Sequence, residues 1–203
     1  MNTKMIDGKR YAQMLLGGAG MLAIHIKELN ALNVFPVADG DTGTNMLSTI
    51  EGGLAAIKNL ETDSIGELSK AFSRGILLSA RGNSGVILSL LFRGMSKGLA
   101  GLTEAGCEDF ANALDLGVKA ADKAVMKPVE GTILTVSRLA AEKAKESAIS
   151  TSSDVLFWQD VCDEAEKVLA QTTEMLPQLK KAGVVDAGGM GFLIIIRAMK
   201  DIF

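Results

Sequence analysis

Residues 7–31 read DGKRYAQMLLGGAGMLAIHIKELNA. Tyr11, Met14, Leu15, Leu22, Ile26 and Leu29 recur at three- and four-residue steps, the spacing that lines one face of an α-helix. Asp7 stands where an N-cap side chain accepts from the first turn, so a helix is predicted over about 7–31. The period then breaks across Asn33–Thr44, which carries Pro36, Gly40 and Gly43 and reads as a loop. It resumes at Met46, Ile50, Leu54 and Ile57.

The same alternation runs to the end of the chain. Ser64-Ile-Gly-Glu67 has the capping-box pattern and opens a third helix with Leu68, Phe72 and Leu77. Ala80–Ser84 is a loop, followed by a fourth helix on Val86, Leu90, Leu91 and Met95. Thr103 is the expected cap of a fifth, carrying Cys107, Phe110, Leu114, Val118 and Val125. Met126–Gly131 is a loop with Pro128, and a sixth helix follows over Thr132–Ala148. The Ser/Thr cluster Ser150–Ser153 separates it from a seventh, with Phe157, Val161, Cys162, Ala165, Val168 and Leu169, which Pro177 is expected to end. Lys181-Ala182-Gly183 leads into a loop, and Gly188–Phe203 is the last helix. No run of alternating strand residues, no hairpin turn and no internal repeat is present. The reading is all-α, about eight helices, one domain over residues 1–203.

Composition bounds the function. A chain of 203 residues buries about 70% of its unfolded surface and needs no staple to fold. Lys and Arg number 21 against 24 Asp and Glu; a general nucleic-acid binder is expected to be basic, so no nucleic-acid partner is expected. Two cysteines make no disulfide framework, and Cys107 and Cys162 read as small core residues in a reducing compartment. The ten methionines read as core filler. The N-terminus lacks an apolar signal region. The greasiest runs, Val86–Phe92 and Phe192–Ile196, fall far short of the roughly 20 residues of a membrane span. A soluble, cytoplasmic protein is expected.

Glycine is the informative residue. Its 22 occurrences are many for a helical chain, since each helix-interior glycine costs about 1 kcal/mol. They gather at loop-to-helix junctions: Gly40/Gly43, Gly82/Gly85, Gly131 and Gly188/Gly189/Gly191. Helix N-termini present unpaired N–H groups and the positive end of the dipole to anions, so several such junctions point to a phosphate-rich ligand. Close helix packing through small residues accounts for the same glycines, and composition alone does not decide.

The strongest single constellation is Asn33-Val-Phe-Pro-Val-Ala-Asp39-Gly-Asp41-Thr-Gly-Thr-Asn45. Two carboxylates one residue apart suit a hard cation such as Mg²⁺, which takes oxygen ligands and keeps positions for phosphate oxygens and water. Asn33 adds a neutral oxygen, and Thr42, Gly43, Thr44 and Asn45 open a helix whose N–H groups are expected to face outward. An EF-hand counted from Asp39 would need Gly and Glu where Thr44 and Ile50 stand, and fails. Pro36 argues against the buried strand that an aspartyl-phosphate phosphatase requires. An Asx-rich turn with a capped helix is the plain structural alternative. Ser79-Ala-Arg81-Gly82-Asn83-Ser84-Gly85, Lys127-Pro128-Val-Glu130-Gly131-Thr132 and Asp186-Ala-Gly188-Gly189-Met-Gly191 are junctions of the same kind. No P-loop occurs. His25, the one histidine, reads as a packed or surface residue, and no Ser/His/Asp or Cys/His set assembles around it.

These blocks also carry a resemblance. Leu29–Met46, Ala80-Arg-Gly-Asn-Ser-Gly-Val-Ile-Leu-Ser89, Lys127-Pro-Val-Glu-Gly-Thr-Ile-Leu134 and Ala182-Gly-Val-Val-Asp-Ala-Gly-Gly189 resemble, in order, the signature of the ATP-binding (DhaL-like) domain of the dihydroxyacetone kinase family. They look most like its bacterial fatty acid kinase branch. The resemblance implies an eight-helix up-and-down barrel that holds ATP or ADP at one end. It implies two Mg²⁺ ions on the first loop, with Asp39 and Asp41 as the catalytic carboxylates and Asn33, Asp39 and Asp41 as metal ligands. The sugar-kinase branch has a further Asp, and the nearest matching position here is Asn33, with one extra intervening residue, so the resemblance leaves the second ion's ligand set open. Nucleotide contacts carry over onto Thr42, Gly43, Thr44, Asn45, Asn83, Ser84, Gly85, Thr132, Ile133, Asp186, Ala187 and Gly188. The implied acceptor is a fatty acid held by a separate fatty-acid-binding protein, and the implied product an acyl phosphate. The chain is then the N-terminal kinase domain of a longer subunit, with any homodimer contact made through the missing domains. A dihydroxyacetone-type sugar kinase subunit and a nucleotide-binding adaptor without turnover are the alternatives.

Overall fold

Asp7 caps α1 (Gly8–Ala31) as its spacing predicts, its Oδ1 accepting the Arg10 N–H at 2.8 Å. The computed structural model describes residues 5–151 and 153–203; residues 1–4 of the N-terminal stretch and Ser152 of the Ser/Thr cluster lie outside the described residues. The order continues α2 (Thr42–Ile57), α3 (Ile65–Leu78), α4 (Gly82–Gly98), α5 (Cys107–Ala124), α6 (Ile133–Ser150), α7 (Asp154–Met175), α8 (Pro177–Ala182) and α9 (Ala187–Ile202). Two antiparallel two-residue strands, β1 (Ile6–Asp7) and β2 (Glu104–Ala105), complete it, Ile6 pairing with Ala105.

Each long helix packs on the next along the chain, and α9 packs back on α1, so eight long helices form a closed ring around one core. Trp158, Tyr11, Phe110 and Phe157 are fully buried within it. Phe110 and Phe157 meet Trp158 at ring-centroid distances of 5.3 and 5.5 Å, the edge-on arrangement aromatic quadrupoles favour. The void inside the ring, between Phe92, Leu114, Trp158 and Met199, is about 10 Å³. No helix among the described residues is long and apolar enough to cross a membrane.

The helices alternate in direction. At one end the starts of α1, α3, α5 and α7 meet: the Gly8 N–H donates to Asp63 O at 2.7 Å, the Ile65 N–H to Thr103 O at 2.9 Å, and the Cys107 thiol to Asp154 Oδ1 at 3.1 Å. At the other end the starts of α2, α4, α6 and α9 gather, with Asn45 of α2 against Gly82 and one cavity shared by the other three.

Several expectations are corrected. Pro177 opens a ninth, short helix instead of ending the seventh; its fixed φ and missing N–H suit a first helical position. Lys181 and Ala182 therefore lie in α8, and Gly183 closes it in the left-handed region (φ 67°). Thr103 does not cap α5, which starts at Cys107 after Gly106, whose N–H donates to Asp109 Oδ2. Ser64 makes half of its capping box, accepting the Glu67 N–H, while its own N–H goes to Thr62. Leu77 faces solvent instead of the core, and Val86 is partly exposed at the wall of the cavity described below. Cys162 is buried, but Cys107 is half-exposed and hydrogen-bonded to Asp154.

The glycine question resolves partly toward packing. A Cβ on Gly117 would stand 2.7 Å from Leu91 O, and one on Gly98 2.7 Å from Ala113 Cα. α4 and α5 thus approach backbone to backbone, and dispersion across that contact offsets the helix-propensity cost of glycine.

Candidate nucleotide site

A cavity of about 290 Å³ opens at the end where α4, α6 and α9 begin. Asn83 and Ser84 reach it from α4, Thr132 and Ile133 from α6, and Asp186 and Gly188 from α9. Phe35 and Pro36, joined by a cis peptide, close one side from the α1–α2 loop. Val125, Lys127 and Val129 close another from the α5–α6 connection, with Val86, Ile87 and Leu134 completing apolar walls. A mostly apolar hollow with a few convergent polar groups is the usual form of a small-molecule site. Three junctions far apart in sequence are therefore brought together.

The three helix starts differ. α6 is capped by Thr132, whose hydroxyl accepts from Leu134 N–H at 3.4 Å and donates to Val129 O at 2.8 Å. α9 is capped by Asp186, whose Oδ2 accepts the Gly189 N–H at 2.7 Å. α4 has no side-chain cap, so its start is the most open to an anion. Gly82 enters it at φ 60°, where a Cβ would be strained and would strike the Asn45 amide of α2. Gly85 and Ala187 are buried and do not line the cavity.

At α2 the expectation of outward-facing donors is corrected. The Gly43 and Thr44 N–H groups donate to Asn30 Oδ1, at 2.8 and 3.2 Å, and Asn30 Nδ2 donates to Thr44 Oγ1 at 3.1 Å. The Asn45 N–H closes on Asp41 O at 2.8 Å. Asn30, from the last turn of α1, is thus the cap of α2, a role no single-segment pattern marks. Thr42, Gly43, Thr44 and Asn45 lie beside the cavity end without lining the cavity itself.

Asn33 is the internal brace of the loop. It is 6% exposed; its Oδ1 accepts from Thr42 Oγ1 at 2.6 Å, and its Nδ2 donates to Val37 O at 2.7 Å and to Asp39 Oδ1 at 3.2 Å. Asp39 is exposed and Asp41 half-exposed, with Gly40 between them at φ 67°. The Asp41 carboxylate makes no cap bond to α2. No cluster of three or more His, Cys, Asp or Glu side chains stands ready for a metal among the described residues. Two accessible carboxylates on one loop nonetheless fit Mg²⁺, which is commonly bound by one or two carboxylates, substrate phosphates and water.

Burial pushes the Asp186 carboxyl up to about 6, against the opposing pull of the Gly189 and Ile133 backbone N–H groups. Asp186 joins the starts of α9 and α6 at the cavity wall. His25 pairs with Glu28 on α1, Nδ1 to Oε2 2.7 Å, and does not line the cavity. The wall residues Phe35, Pro36, Val86, Ile87, Val125, Lys127, Val129 and Leu134 escaped assignment from sequence. All but Val125 lie within the four sequence blocks named above, and among these wall residues Lys127 is the one cation.

Comparison with known proteins follows the same lines. The DAK2 domain model matches residues 36–201. Protein YloV of Bacillus subtilis is 49% identical over 195 residues, covering 96% of this chain and 35% of that protein. An uncharacterized protein of Staphylococcus saprophyticus is 50% identical over 190 residues, covering 94% of this chain and 34% of its own length. The chain thus spans about a third of the length of these relatives. The crystal structure of the dihydroxyacetone kinase from C. freundii in complex with AMP-PNP and Mg²⁺ superposes with a TM-score of 0.68 at 18% identity, over 94% of this chain and 33% of that one. Its native form gives 0.70 at 17% identity. The fold is therefore the same.

Proposed function

Because the chain belongs to the DAK2 domain family, we propose that it is a Mg²⁺-dependent kinase domain that binds ATP and passes the γ-phosphoryl group to a fatty-acid carboxylate held by a separate fatty-acid-binding protein, giving an acyl phosphate. The observation that carries the reading is the meeting of three helix starts on one cavity, with Asp39 and Asp41 on the loop that supplies Phe35 and Pro36 to its wall. The C. freundii dihydroxyacetone kinase, a third of whose chain has this fold, was crystallised in complex with AMP-PNP and Mg²⁺, which supports the reading.

The residues divide the work. The apolar walls suit the face of a nucleobase, while Asn83 and Ser84 at the uncapped start of α4 offer donors to phosphate oxygens. Asp39 and Asp41 would hold Mg²⁺, which supplies charge neutralisation at the transferring phosphoryl group. Asn33 and Asn30 set the loop and the helix behind those carboxylates. A carboxylate acceptor is already ionised at neutral pH, so the reaction needs no general base, in keeping with a cavity that no histidine lines.

Calorimetry with AMP-PNP tests the reading. Binding to the wild-type chain is expected to require Mg²⁺. Asp39→Ala and Asp41→Ala are expected to abolish that binding while helical circular dichroism persists. Unchanged affinity in Mg²⁺ for both variants would remove the metal assignment, and no binding by the wild-type chain would remove the function.

A further inference from the structure

The connection between α5 and α6 alternates. Val125, Lys127 and Val129 line the cavity, whereas Met126 is 98% exposed and Pro128 and Glu130 face solvent. Bends at Met126 and Lys127 and a turn at Glu130 carry residues 125–131 along one side of the cavity as a strap, with Lys127 and Val129 at its exposed rim. Its first end is tied by the Val125 N–H to Ala121 O at 3.1 Å. No hydrogen bond among the described residues fastens Met126, Lys127 or Pro128.

The second end is tied four ways to the first two turns of α6. Thr132 Oγ1 donates to Val129 O at 2.8 Å. The Gly131 N–H donates to Thr135 Oγ1 at 2.9 Å, and that hydroxyl donates to Glu130 Oε2 at 2.7 Å. Arg138 Nη2 then reaches both Glu130 oxygens, at 2.9 and 2.8 Å. Thr135 is 2% exposed, and a buried hydroxyl left without its acceptor is costly. Glu130 itself touches nothing in the cavity. Arg138 also faces Glu142 at 3.7 Å and the half-buried Asp122 of α5, so its guanidinium is kept on this side of the helix.

We propose that Glu130 is a positioning residue of the nucleotide site: latched by Thr135 and Arg138 on the outside of α6, it sets how far Lys127 and Val129 reach into the cavity. The inference rests on the nucleotide-binding reading above and adds to it a control point outside the cavity. The ammonium of Lys127 is the group whose placement matters most, because an anionic ligand's attraction to it changes steeply with distance. The Glu130–Arg138 pair is solvent-exposed on the Glu130 side, so its loss is expected to cost nucleotide affinity about fivefold, in line with exposed ion pairs.

The test is a double-mutant cycle read by calorimetric titration of AMP-PNP in Mg²⁺, with Glu130→Ala, Lys127→Ala and both together. Glu130→Ala is expected to weaken binding about fivefold in the wild-type background and less than about twofold once Lys127 is gone. Glu130→Gln keeps an acceptor for Thr135 and is expected to fall between wild type and Glu130→Ala. It carries the same comparison should Glu130→Ala fail to fold. Equal affinity of the Glu130 variants and the wild-type chain would overturn the proposal. So would full additivity with Lys127→Ala, which would make the latch merely structural. Failure of the wild-type chain to bind AMP-PNP would instead remove the nucleotide reading itself, so the two failures are told apart.

Discussion

Asp186 shows what one residue does when a helix start is also a cavity wall. Its side chain is 5% exposed, and burial raises its carboxyl to about 6 despite two backbone N–H groups that favour the anion. A raised carboxyl favours the protonated fold. Its stabilising contribution is full below the unfolded value near about 4 and is lost as pH rises through about 6. Asparagine caps helices as well as aspartate and cannot ionise. Asp186→Asn is therefore expected to gain on the wild type by roughly 3 kcal/mol as pH rises from 4 to 7.5, two pKa units at about 1.4 kcal/mol each. Urea unfolding of both proteins across that range reads the gap, and a gap constant with pH would show that the carboxyl titrates normally. Asp39, exposed, and Asp41, half-exposed, stand by contrast on the open loop before α2.

At the scale of elements, the contact of α4 with α5 is the most demanding, because Gly94, Gly98, Ala113 and Gly117 let two backbones touch. Gly117→Ala sets two effects against each other. Alanine gains about 1 kcal/mol of helix propensity, but its Cβ would stand 2.7 Å from Leu91 O, a backbone atom that cannot turn aside. Overpacking of that kind costs about 1–3 kcal/mol, so a net loss of stability is expected; a rise in the urea midpoint would show that the helices separate without penalty. The long helices were legible in the sequence because their apolar faces repeat over several turns and Asp7, Thr132 and Ser153 cap them locally. α8 was not, since six residues show no period and Pro177 reads equally as a stop or a start. β1 and β2 are two residues each and exist through pairing alone. The junction residues of the site were legible from their glycines. Asn30 and the strap 125–131 were not, because their roles lie in contacts made across the fold.

The whole molecule is a ring with two unlike ends. Four helix starts meet around β1, β2 and the Cys107–Asp154 bond; at the other end three meet on the cavity, with the start of α2 beside it. Between them, the void beside Trp158, about 10 Å³, is barely the size of one water. The cavity, about 290 Å³, lies at the small end of ligand pockets, which run from about 300 to 1,000 Å³. A nucleotide occupies such a space without leaving room for a long acyl chain. If the acceptor is a fatty acid, its chain is then sheltered by another protein and only its carboxylate meets the nucleotide. The expected outcome is that the 203-residue chain binds MgATP alone, forms no acyl phosphate from free fatty acid in detergent, and forms it only weakly when the fatty acid arrives on a lipid-binding protein. Acyl phosphate trapped with hydroxylamine, alongside ADP release, reads each arm. Equal product from free fatty acid would mean that the ring itself shelters the chain. ADP release with dihydroxyacetone and none with a loaded lipid carrier would replace the acyl acceptor by a sugar while leaving the nucleotide site where it is.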